Sequence, residues 1–97
     1  MSDSMALSIR DPHANSLRRK VSGQVFGELI RKARVADGRT IEEIAPLAGL
    51  TVPEWEEIEA GQVPDTWEHV CLIANALGLS RSWMASVVHL CVEAWEN

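Results

Sequence analysis

Two four-residue stretches constrain this chain more than anything else in it. They are Thr40-Ile41-Glu42-Glu43 and Thr51-Val52-Pro53-Glu54, with Gly49 between them. Each places a threonine three residues ahead of a glutamate. In such a capping box the threonine hydroxyl accepts from the third backbone N–H of a helix, and the glutamate reaches back to the threonine N–H. Two helix starts so close together leave room for only one short helix and a tight turn. Gly49 is the residue type that makes that turn at little steric cost. Gly61 stops the second of the two helices.

The remaining helices follow from hydrophobic spacing. From about Gln24, Phe26, Leu29, Ile30 and Ala33 share one face, and Gly38 ends that helix. Ile41, Ile44, Ala45 and Ala48 form the stripe of the next, where Pro46 is expected to disturb the hydrogen-bond ladder. Trp55 and Ile58 point inward from the third. Pro53 sits in its first turn, where proline is tolerated. After a loop, Gly61-Gln62-Val63-Pro64-Asp65, the positions of Trp67, Val70, Cys71, Ala74 and Leu77 mark a fourth helix, closed by Gly78. Ser80 caps a fifth that runs to the C-terminus. Residues 1–22 are polar and aperiodic and read as a tail with a basic cluster, Arg18-Arg19-Lys20. Residues 23–97 read as one all-α domain.

Composition narrows the function. A chain of 97 residues, 46% of them hydrophobic, suits one small core. The net charge of −5 hides an asymmetry. Lys20, Lys32 and the arginines at 10, 18, 19, 31, 34 and 39 precede position 40, and Arg81 is the only later basic residue. Glutamates and aspartates crowd the second part, so a basic leading segment is followed by an acidic remainder. No apolar run approaches the ~20 residues that span a bilayer, and no secretion signal opens the chain. Cys71 and Cys91 fall at apolar helical positions, the pattern of reduced, buried thiols in a cytoplasmic protein. His13, His69 and His89 share no cluster, so no metal is expected. No nucleophile has a His/Asp grouping nearby and no glycine-rich phosphate loop exists. An enzyme is therefore not expected, nor is a cofactor.

The string from Phe26 to Gly61, "FGELIRKARVADGRTIEEIAPLAGLTVPEWEEIEAG", followed by "WEHVCLIANALGLSRSWM", resembles the lambda-repressor-like (Cro/Xre) helix-turn-helix family over residues 26–84. "LIRKAR" is similar to the family's first helix and "IEEIAPLAG" to its second. "IEAG" is similar to the end of its recognition helix, and "LIANALGLS" to its fourth helix and following turn. The resemblance implies a five-helix fold and a DNA-binding transcriptional regulator. It also implies an ion pair between Arg34, late in the first helix, and Glu59, near the end of the third.

The departures fall on the residues that would touch DNA. Members often open the second helix with Thr-Gln, whose side chains hold phosphates; here Thr40 is followed by Ile41. The reading positions of the third helix, usually serine, glutamine, asparagine or arginine, are here Val52, Pro53, Glu54, Glu56 and Glu57, after the cap Thr51. Val52 suits a thymine methyl and a glutamate suits cytosine N4, yet three outward carboxylates oppose a phosphate lattice. Three readings stay open for them: a solvated face, a dock for a basic protein partner, or base readout supported by Arg18, Arg19, Lys20, Lys32 and Arg39. The fifth helix adds a second surface. Trp83, Val87, Leu90 and Ala94 form one stripe; Met84, Val88, Cys91 and Trp95 form another about 100° away. The second stripe either covers the N-terminal segment or makes a homodimer, and a symmetric dimer would suit a palindromic operator.

Overall fold

A computed structural model describes residues 12–95; the side chains of 12–16 and of Arg18 lie outside that description. Among the described residues the expected all-α, five-helix fold is the one observed. The helices are α1 (Pro12–Ala36), α2 (Ile41–Ile44, continued by a 3-10 turn, Ala45–Ala48), α3 (Val52–Glu59), α4 (Trp67–Ala76) and α5 (Arg81–Trp95). There is no strand among the described residues. Phe26 and Ile30 of α1, Ile44 of α2, Trp55 of α3, Val70 and Ile73 of α4 and Cys91 of α5 are fully buried and meet in one core.

α1 is longer than expected. It begins at Pro12, well before Gln24, so residues 12–22 of the expected tail are helical; residues 1–11 of that tail lie outside the described residues. Proline suits a first helical turn because its missing N–H has no intrahelical partner there. Small residues hide this start from the hydrophobic pattern. Among the described side chains around this stretch, Ser22 and Gly23 are the buried ones and carry no hydropathy signal, whereas the apolar Leu17, Val21 and Val25 are exposed. α1 packs most extensively on α5 and next on α3. Ser22 donates its hydroxyl to Glu93 Oε2 on α5 at 2.6 Å.

The two prolines of the central helices behave differently because of where they sit. Pro53 lies in the first turn of α3 and the helix runs on. Pro46 comes after one turn of α2, where an N–H to the fourth preceding carbonyl would be needed. The chain tightens into the 3-10 turn instead. Gly49 then adopts φ +71°, and Leu50 N–H closes the turn onto Ala45 O at 2.9 Å.

α5 does not present the second stripe intact. Cys91 is fully buried in the core, and burial pushes its thiol up to about 11. It therefore lies in the domain interior and is withdrawn from the expected dimer surface. Trp95 is 38% exposed, and its indole N–H donates to Pro64 O at 2.8 Å, anchoring the loop after α3. Met84 is half-buried and Val88 is exposed. The physical reason is that α5 spreads a wide face over the core beside the long α1.

Candidate functional site

The region of interest is α2, its turn and α3. Thr51 opens α3 with the full capping box. Its hydroxyl accepts from Glu54 N–H at 3.2 Å, and Glu54 Oε1 accepts from Thr51 N–H at 2.8 Å and from the hydroxyl at 3.0 Å. Thr40 and Glu43 repeat the arrangement at α2, with 3.2, 2.9 and 3.1 Å. In both boxes the threonine N–H, then its hydroxyl, holds the glutamate carboxyl below the usual carboxylate range. A negative side chain thus already occupies each helix N-terminus, the place where positive backbone charge would otherwise attract a phosphate.

The outer face of α3 is acidic and unencumbered. Pro53, Glu54, Glu56 and Glu57 are exposed, while Val52 is half-buried. The inner face is clamped. Glu59 takes Arg34 Nε on Oε2 at 2.6 Å and Nη2 on Oε1 at 3.1 Å. Oε2 also accepts the indole N–H of the buried Trp55 at 2.6 Å. Arg34 uses a third donor, Nη1, on Arg39 O at 3.0 Å. The hydrogen bond to Glu59 raises the guanidinium above its ordinary range. The family resemblance implied the Arg34–Glu59 pairing but not its third member, Trp55.

A second clamp had a signal in the sequence that periodicity alone does not catch. Gly23 and Gly27 are four apart on α1 and both are buried. A Cβ at Gly27 would lie 2.4 Å from Ile58 O and 2.9 Å from Glu59 O; one at Gly23 would lie 2.2 Å from Gly61 O. α1 therefore lies backbone against backbone on the C-terminal end of α3. Glycines kept inside a helical pattern, where they cost about 1 kcal/mol against alanine, point to such close approach.

The expected basic flank is dispersed. Arg39 pairs with Asp37 Oδ2 at 3.0 Å and donates to Ala76 O at 3.3 Å, so it braces the start of α2 against α4. Arg31 pairs with Glu28 at 2.6 Å. Arg19 and Lys20 line a hollow with Gln62, Asp65 and Trp95, next to the loop after α3. Lys20 and Lys32 are exposed, and neither pairs with a carboxylate among the described residues. Arg18 lies outside the described side chains. The structure thus brings Arg39 to the start of α2, beside Arg34, and Arg19 and Lys20 to the loop after α3.

No group of three or more His, Cys, Asp or Glu residues is placed to hold a metal among the described residues. No helix there is long and apolar enough to cross a membrane. A family model described as a helix-turn-helix domain matches residues 25–86, from the middle of α1 into α5. No curated protein and no solved structure gives a match.

Proposed function

The chain belongs to the helix-turn-helix domain family, and from that premise we propose that it is a DNA-binding transcriptional regulator of the lambda-repressor-like (Cro/Xre) type, cytoplasmic and homodimeric. The observation that carries this reading is the α2–turn–α3 unit. Two boxed helices meet across Gly49, and α3 is locked on its inner face while its outer face is bare. That is the form a major groove admits. Here Val52, Pro53, Glu54, Glu56 and Glu57 occupy the reading positions, and the three carboxylates repel the phosphate lattice, so affinity is carried elsewhere. Thr40 and Thr51 stand at the two helix starts. Phosphate contact falls to Lys20 and Lys32, with Arg18, Arg19 and Arg39 as flanks. In the dimer, Met84, Val88 and Trp95 of α5 are the contact residues.

A second reading, contact with a basic protein partner through the acidic third helix, is favoured by one specific observation. Arg31, Arg34 and Arg39 all pair with carboxylates of this chain, whereas Glu56 and Glu57 are exposed and enter no ion pair among the described residues.

One experiment separates the two. Binding to short duplexes is measured across a salt series, with sedimentation giving chains per duplex. Each phosphate contact adds about −0.9 to the logarithmic salt slope. Lys20 and Lys32 then give a shallow slope of about −2 per chain and weak affinity at physiological salt. Changing Glu54, Glu56 and Glu57 together to glutamine strengthens general binding by removing repulsion. Absence of binding by either protein at low salt would overturn the DNA reading, and one chain per duplex would remove the dimer. Tight, sequence-selective binding abolished by the glutamine triple would mean that the glutamates read cytosines.

A further inference from the structure

Beside α3, on the flank that faces α4, lies a groove of about 210 Å³. Leu50, Ile58, Val63 and Pro64 form its base. Ile58 and Val63 are buried, while Leu50 and Pro64 are half-buried. Glu54, Glu57 and Asp65 line it from exposed positions, and no lysine or arginine does. Gln62 and His69 complete the lining, His69 Nδ1 lying 2.9 Å from Thr66 Oγ1. Glu54 keeps its place in the groove wall because the capping box fixes it.

We infer that this groove is the anchor point for one arginine side chain of a basic protein segment, a conclusion that rests on the protein-contact reading above. Size and chemistry both select that occupant. The volume falls below the roughly 300–1,000 Å³ of pockets that enclose drug-sized ligands, and suits a single long side chain. An apolar base under an acidic rim matches a side chain with an aliphatic stem and a cationic head. Three carboxylates around one opening repel a nucleic-acid phosphate and attract a cation. Arginine fits better than lysine because its planar guanidinium is weakly hydrated and can engage two carboxylates at once.

The test uses the full chain, isotope-labelled for NMR, and a blocked hexapeptide, Ala-Leu-Arg-Ala-Leu-Ala, against its citrulline counterpart. Citrulline keeps the shape of arginine and removes the charge. The arginine peptide is expected to shift the Ile58 and Val63 methyl signals to saturation, and the citrulline peptide is not. Changing Glu57→Gln together with Asp65→Asn weakens binding about tenfold, while Glu56→Gln, outside the groove, changes it less than about twofold. Both variants sit at exposed positions, and unchanged melting curves check their fold. Equal binding of the citrulline peptide would overturn the inference, as would a short duplex that shifts the same methyls. Shifts confined to the Glu56 side would remove the groove and leave the protein-contact reading standing. Absence of any shift with the arginine peptide would remove both.

Discussion

The inner and outer faces of α3 are built on opposite terms. On the inner face Trp55 and Ile58 are buried, Glu59 holds three N–H donors, and α1 touches the backbone itself at Ile58 and Glu59. On the outer face Pro53, Glu56 and Glu57 stand in solvent, and none of them closes a side-chain hydrogen bond or ion pair among the described residues. The position of the helix is thus set by one set of residues, and whatever it meets is selected by another.

The sharpest way to break the comparison is Gly27→Ala. The new methyl collides with two backbone carbonyls that cannot rotate away, so α1 and α3 must separate. Overpacking of this kind costs about 3 kcal/mol or more. Chemical denaturation should show the unfolding free energy falling by that amount, and a value unchanged from the native protein would mean that α1 does not approach α3 this closely.

Next in size is Arg34→Met. The Arg34 and Glu59 side chains are only 16% and 9% exposed, so the survivor is left largely buried, at about 3 kcal/mol. Adding Glu59→Leu recovers part of the loss but not all, because Trp55 then has no acceptor for its indole N–H, a penalty of about 1–3 kcal/mol. Thermal melts of the single and double variants measure both. A single variant as stable as the native protein would show that the pair does not support the inner face.

The smallest effect tests the caps. The carboxyls of Glu43 and Glu54 titrate below their ordinary value in the folded protein, because threonine N–H and hydroxyl groups bind the charged form. Groups depressed on folding add stability above the unfolded value of about 4.3, and that stability is lost as pH falls through the folded value. Melting temperature should therefore drop more steeply below about pH 5 in the native protein than in a Glu43→Gln, Glu54→Gln double variant, which keeps the box geometry without the charge. Parallel curves for the two proteins would show that the charges do not stabilise the caps.

What was legible in the sequence was local. Thr40, Thr51 and Gly49 act on their own neighbours, so the two boxes and the turn could be read from spacing. Pro46 could be seen as awkward, but the 3-10 turn that absorbs it depends on how Ala45 and Ala48 bury against α4. What could not be read was set by elements distant in sequence. The start of α1 is hidden because Ser22 and Gly23 pack through small size, not hydropathy. Cys91 reads from the sequence both as a buried thiol and as part of a second stripe, because periodicity shows that a face is apolar and cannot show how wide an arc its neighbours cover. The groove beside α3 joins Leu50, Ile58, Val63 and Asp65 from three segments, and no one of them announces it.

The clamp at Gly23, Gly27 and Arg34 also governs how this domain can change over generations. A glutamate codon becomes a lysine codon through a single base substitution. At Glu56 or Glu57 that substitution inverts a charge on the exposed outer face while leaving every residue that holds α3 in place. Surface substitutions of this kind typically alter stability by no more than about 0.5 kcal/mol. An acidic and a basic outer face on this helix are therefore separated by a couple of point mutations, with no refolded intermediate to cross.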